Sequence, residues 1–253
     1  GNQYLKPATS ENINFGFSWN VTNELDLLID YWRIDYKNRI EVESPQVLLN
    51  IDPFAPSVTR NQFGELIAVS TSYFNEAKTK VSGIDAEINF LKIVEIGEFS
   101  YSVKATQLSE FLTPENQGGD NFNMVNRVGN FNFDANTHSL PKLRLNSFFS
   151  WTINDLKIGI NSRYVDGYSN DRQIPSSAIS LGYTNYVKSF LVHDFSITKL
   201  FKFYSGEMEL GIGIINAFDK QAPLLYDAPD FSFDTRVHDP RGRLINLSAE
   251  FNF

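Results

Sequence analysis

Chemistry in this sequence would have to come from a few charged and aromatic clusters. Asp239-Pro240-Arg241-Gly242-Arg243 sets two guanidiniums beside a carboxylate, a spacing able to grip an anion bidentately. The other reading is a turn fixed by Pro240 and Gly242, with Arg241 and Arg243 paired to acidic neighbours on adjacent strands. That second reading is the expectation carried forward, and Asn216, Phe218 and Asp219 of Asn216-Ala217-Phe218-Asp219-Lys220 are likewise expected to shape a strand end. A looser set is Asn121, Phe122, Asn123, Asp171, Arg172, Tyr226, Asp227 and Asp230, with Phe231 and Phe233 beside the last of them. Such rings and polar groups can stack on and hydrogen-bond a sugar or another polar ligand. Singly, each reads as a solvated loop residue; together they are the best functional clue, because loops carry function disproportionately.

Other chemistries lack their residues. Asn50-Ile51-Asp52, Asp227 and Asp230 do not have the spacing that wraps oxygens around one calcium ion. His138, His193 and His238 stand alone, without a second ligand at metal-binding spacing. No nucleophile elbow, phosphate loop or dinucleotide fingerprint is present. No metal, cofactor or catalytic residue is therefore expected. The absence of Cys excludes disulfides and thiolate metal sites. A net charge of -8 argues against a nucleic-acid partner, which would need clustered cations. No stretch reaches the roughly 18 apolar residues of a membrane-spanning helix, and Gly1 to Ser10 lacks the features of a signal peptide.

The elements that must position these clusters are strands. Aromatic residues make up 14% of the chain, with 22 Phe against 2 Met, a bias that suits a pleated surface. Ile13, Phe15, Phe17 and Trp19 alternate with Asn12, Asn14, Ser18 and Asn20, the period of a strand. The same alternation recurs in Leu25 to Tyr31, Ile84 to Phe90, Phe99 to Val103, Leu143 to Trp151, Leu156 to Ile160, Phe190 to Lys199, Met208 to Ile214 and Ile245 to Phe253. About nine strands result. Short turns (Val21 to Glu24, Lys92 to Gly97, Thr152 to Asp155, Lys202 to Gly206) alternate with long loops at roughly Asn38 to Lys80, Leu112 to Pro141, Val165 to Ser189 and Phe218 to Arg241. Short turns at one end and long loops at the other are the asymmetry of outer-membrane barrels.

Polarity agrees. The face bearing Asp85, Glu87, Lys157, Asp194, Glu207, Glu209 and Glu250 is too charged for a dry core. The apolar face is expected to meet lipid, where only a closed sheet satisfies its backbone. Trp19, Tyr31, Trp32, Trp151, Tyr164 and Phe251 are expected in aromatic girdles at the two interfaces, and His193 beside Phe195 on the apolar side. Gly211 and Gly213 leave small lumen-facing positions with room for a plug. The fold class is thus all-β: a transmembrane antiparallel up-and-down β-barrel, of which this chain supplies about nine strands. Unpaired edges at Asn12 and Phe253 suggest a fragment whose missing N-terminal strands close the barrel.

Several segments carry a family resemblance. Leu5-Lys6-Pro7-Ala8-Thr9-Ser10 looks like the LKPE-T/S lead into a late strand of TonB-dependent receptors, with Ala8 in place of the usual Glu. Asp30-Tyr31-Trp32-Arg33-Ile34 is similar to the D-Y-x-R-I strand of that family, and Ser82-Gly83-Ile84-Asp85 resembles its S/T-G-I-D strand start. Ser139-Leu140-Pro141 resembles a family turn. Asn216 to Lys220 looks like the N-x-F-D-K motif, and Asp239 to Arg243 like the D-P-R-G-R before the last strand. Phe251 and Phe253 resemble the terminal signal read by the barrel-assembly machinery.

The resemblance covers nearly the whole chain but only the late part of the family's layout. It implies a receptor of the cell outer membrane, a multi-pass β-barrel that takes up a scarce small-molecule ligand such as a siderophore, cobalamin or an oligosaccharide. It also implies partners: the lipid bilayer, the protein's own plug domain and N-terminal strands, and the TonB complex. Residues 1–253 would form the C-terminal part of the barrel. A passive porin and a soluble all-β carbohydrate-binding module are the alternatives.

Overall fold

The structure, a computed structural model, describes residues 2–115, 123–133, 137–228 and 231–252, with backbone only for Glu76 and Ala77. Nine long strands among the described residues follow one another across a single antiparallel sheet. They are β1 (Thr9–Asn20), β2 (Leu25–Val42), β3 (Tyr73–Val94), β4 (Gly97–Pro114), β5 (Leu143–Ile153), β6 (Leu156–Val165), β7 (Phe190–Phe203), β8 (Gly206–Ile215) and β9 (Leu244–Asn252). Each pairs with its predecessor and successor, and Met124–Asn126 adds a short strand to the end of β4. The strands expected from alternation are all present. β1 and β9 pair on one side only, leaving two open edges.

Register converts the alternation into two faces. Leu25, Phe90, Tyr101, Phe149, Ile160, Phe195, Ile214 and Ile245 stand side by side as one apolar row from β2 to β9. Parallel rows contain Phe17, Ile29 and Ala86, or Trp151, Ile158, Ile197, Ile212 and Leu247. Among the described residues no second layer covers this face: the long strands touch their sheet neighbours, and Phe17, Ile212 and Leu247 are 61%, 53% and 76% exposed. The other face aligns Glu87, Lys104, Asn146 and Arg163, and next to them Asn89, Ser102, Phe148, Asn161 and Asp194.

Two sequence expectations change at the strand ends. A strand crosses a bilayer in about 9–11 residues, yet β3 runs for 22 and β2 and β4 for 18, so the loop expected from Asn38 to Lys80 narrows to residues 43–72. The apolar parity stops at Tyr31 and Ile84, and the positions continuing it are Arg33, Asp35 and Lys37 on β2 and Ser82, Lys80 and Lys78 on β3. Pairing persists past the apolar band because these outward side chains suit water. At the opposite end the turns tighten to residues 95–96, 154–155 and 204–205, with Asn154 at φ 49°.

Trp151, expected in a girdle, stands on the apolar face near a turn, where its Nε1 donates to the Ile96 carbonyl at 2.9 Å and its ring stacks on Phe99 at 5.8 Å. Trp32, expected in a girdle too, is not on that face. That ring has the opposite parity from Tyr31 and packs over Gly83 on the polar face, beside Asn14, Asp30 and Asp85. Gly211 and Gly213 also gain a local reason, since a Cβ there would meet Ser248 and Asn246 of β9.

Candidate functional site: the loop cluster and the polar wall

The two C-terminal motifs turn out to be one clasp. Asn216 ends β8 at φ 49°, its side chain accepting from the Lys220 N–H and donating to the Lys220 carbonyl, both at 2.9 Å. Asp219 Oδ1 accepts from the Arg243 N–H at 2.9 Å, and the Arg243 guanidinium donates to the Ala217 carbonyl. Gly242 lies at φ 68°, where a Cβ would also press on Asp219. Arg241 pairs with Asp239 of its own turn at 2.7 Å, not with an adjacent strand as the sequence suggested. A carboxylate and guanidinium two residues apart satisfy one another without reaching across the sheet. That pairing, led by the side-chain hydrogen bonds, holds the Asp239 carboxyl down at about 2. Phe218 lies against His193 and Phe195 on the apolar face, where His193 also meets Ser162 Oγ at 2.7 Å. The motif residues thus close the base of the last loop.

Three long loops converge above the polar wall and build a core of their own. Phe131, Tyr168, Val187 and Leu225 are almost fully buried together, with Phe133, Ala228 and Val237 packed on them. Asp234, buried, accepts from the Tyr168 hydroxyl at 3.0 Å and from Ser139 Oγ, joining residues 66 and 95 positions away. Asn132 donates to the carbonyls of Arg127, Asn130 and His138. His238 is 3% exposed, stacked on Tyr168 and edge-on to Phe190, and neither ring nitrogen has a hydrogen-bond partner among the described residues. Burial pushes its pKa down to about 4. Burial, then the Asp234 charge, pushes the Tyr168 phenol upward. The sequence marks only His238, as an isolated histidine, and Ser139, in a turn; Phe131, Tyr168, Val187 and Leu225 are not singled out by it. The available signal was the run of apolar residues in otherwise polar loops, at Val128, Phe131, Val187, Leu225 and Val237.

The ligand candidates divide. Arg172 and Asp227 form a 2.7 Å ion pair between loops, and the Arg172 guanidinium sits 4.2 Å over the Phe133 ring. Tyr226 packs edge-on against Tyr183 at 5.8 Å and accepts from Asn170 through its carbonyl. All three lie in the loop cluster, and each is held by groups of the protein itself. Asp171 is exposed beside Arg172, and Asn123 is exposed in another loop, its carbonyl accepting from Glu115. Asn121, Phe122 and Asp230 lie outside the described residues, as does Phe253; Phe251 is 57% exposed on β9. Phe231 and Phe233 stack at 5.5 Å.

Below the loops the polar face holds a concavity of about 470 Å³ lined by Asp85, Glu87, Lys104, Thr106, Arg144, Asn146 and Arg163 together with Leu28, Ala86, Ala105, Leu145, Tyr164 and Val165. A smaller one of about 180 Å³ runs from Arg163 to Asn216, Asp239 and Gly242. Arg163 pairs with Asp194 at 3.0 Å and Lys104 with Glu87 at 3.3 Å. No group of His, Cys, Asp and Glu able to hold a metal occurs among the described residues. Charged side chains held by partners on a wet wall, under a loop cluster with its own core, can line a passage and present a binding surface at its mouth.

A family model described as TonB dependent receptor-like, beta-barrel, matches residues 1–217. No curated protein matches the chain. Among solved structures, the chain resembles the ferric enterobactin receptor PfeA of Pseudomonas aeruginosa in complex with BCV-L6, at 19% identity and a TM-score of 0.60, covering 98% of this chain and 32% of that one. It resembles the siderophore receptor PirA of Acinetobacter baumannii at 18% identity and 0.58, covering 97% and 32%. The outer membrane transporter YddB of Escherichia coli gives 13% identity and 0.62, covering 98% and 33%. At such identities the likeness carries the fold, and the chain spans about a third of each of these chains.

Proposed function

Because the chain belongs to the TonB-dependent receptor β-barrel family, we propose that it forms the C-terminal wall of an outer-membrane receptor that takes up a scarce small-molecule ligand by TonB-coupled transport. The observation that carries this reading is the pairing of an uncovered apolar face with a charged, concave one on the same nine strands. Acyl chains satisfy the first face and water the second. The open edges of β1 and β9 require further strands, because an unpaired backbone cannot stand in lipid. The plug and N-terminal strands of the complete receptor fill the lumen and close the ring, the barrel-assembly machinery acts at the end bearing Phe251, and TonB supplies the energy. The loop cluster captures the ligand, and no catalytic step is involved.

Two structural neighbours are a ferric enterobactin receptor and a siderophore receptor, so ferric siderophores are the first ligands to test. The full-length protein is expressed in cells lacking their own siderophore receptors, and radioiron uptake is followed with and without TonB. Saturable uptake that disappears without TonB is expected. Solute flux independent of TonB, with swelling of proteoliposomes in small sugars, would mean a passive porin; a detergent-free monomer would mean a soluble module.

A further inference from the structure

Residues 234–238 tie the last loop to its neighbours, and two of their contacts tolerate no extra proton. The Arg236 guanidinium lies 2.9 Å from His138 Nδ1, across 98 residues of chain. A guanidinium only donates, so this nitrogen must offer a lone pair, which a doubly protonated ring does not have. Protonation would leave two cations at hydrogen-bond distance, adding repulsion to the lost bond. His238, 3% exposed, fills the slot between Tyr168 and Phe190, and among the described residues neither of its nitrogens has a partner. A charged ring there would carry two buried donors and nothing to receive them.

The groups around the rings do not relieve this. Asp234 favours a charge on His238 and Arg144 of β5 opposes it, while the Asp234 carboxylate already accepts from Tyr168 and Ser139. Among the described residues Arg236 is the charged group in hydrogen-bond contact with His138, whose carbonyl accepts from Asn132. Segment 138–139 thus meets the last loop twice, through Arg236 and through Asp234. We propose that residues 234–238 form an acid-released latch, closed while His138 and His238 each keep a free lone pair and opened as they take up protons, which withdraws Leu225 from the core shared by the loops. The latch belongs to the loops alone and does not depend on what wets the sheet below them. Burial holds the His238 pKa down at about 4, against 6.5 for an ordinary ring. Its support of the closed loop is therefore complete above about 6.5 and is lost as pH falls towards 4.

The full-length protein in micelles, with any other cysteines replaced, is given one thiol, at Leu225→Cys in the shared core or at Thr235→Cys, exposed on the same loop. Reaction with an uncharged disulfide reagent is timed from pH 7.5 to 4, and the ratio of the two rates cancels the thiol's own pH dependence. That ratio is expected to rise by up to about tenfold per pH unit between about 6.5 and 4, the slope for one proton taken up on opening. Val187→Cys, a smaller change in the same core, repeats the reading should Leu225→Cys loosen the loops. His138→Gln, at an exposed position, keeps an acceptor for Arg236 and should lessen the rise, and adding His238→Phe should flatten it. A ratio that does not change with pH overturns the proposal. So does an acid rise undiminished in His138→Gln or persisting in the double variant, which would move the titration to Asp234.

Discussion

At the scale of single residues, Asp219 shows how the motif residues shape the end of a strand. It stands at φ 52° and accepts the Arg243 N–H across the base of the last loop. Asp219→Ala is expected to cost about 1.5–3 kcal/mol, the range for a lost hydrogen bond to a charged acceptor. Gly242→Ala should cost a similar roughly 1–3 kcal/mol through backbone strain; both are measured as a lowered denaturation midpoint in micelles. His238 gives the loops an acid limb. Its folded pKa is depressed to about 4 from 6.5 by burial, so the unfolded segment takes up a proton first. The contribution is complete above about 6.5 and falls as pH drops from there towards 4. Amide exchange of residues 231–238, corrected for intrinsic rates, should quicken through that window and lose the increment in His238→Phe. The turn-forming role of these motifs was legible, since Pro240 and Gly242 advertise it. The Ser139 to Asp234 contact was not, because it joins two loops 95 residues apart with no periodicity to mark either end.

At the scale of strands, hydrophobic alternation decided most of what is seen, because a one-residue slip would turn every apolar side chain to the wet face. Ile160 lies in the middle of the apolar row and Asn161 on the opposite face. Ile160→Lys should therefore cost about 2–4 kcal/mol if it lies near the bilayer midplane, whereas Asn161→Lys should cost well under that, as read from refolding titrations into lipid vesicles. What alternation did not convey is the length of β2 to β4. Beyond Tyr31 the outward parity becomes charged, and a strand standing in water looks, by composition, like a loop. Trp32 was misassigned for a related reason: aromatic character was given weight over parity, and parity alone sends it to the wall lined by Asp30 and Asp85.

At the scale of the molecule, no dry core lies beneath the sheet among the described residues; the tightly packed cluster of Phe131, Tyr168, Val187 and Leu225 belongs to the loops. Its stability must come from what wets each face and from strands that meet β1 and β9. The central claim is that the apolar face touches lipid. The 253 residues contain no Cys, so single nitroxides can be introduced along β6 of the full-length protein in liposomes. Ile158 and Ile160 labels should collide freely with oxygen dissolved in the bilayer and scarcely with a water-soluble nickel chelate, while a label at Asn161 should not share that oxygen-rich signature. Low collision with both reagents at Ile158 and Ile160 would place those side chains against protein and contradict the account.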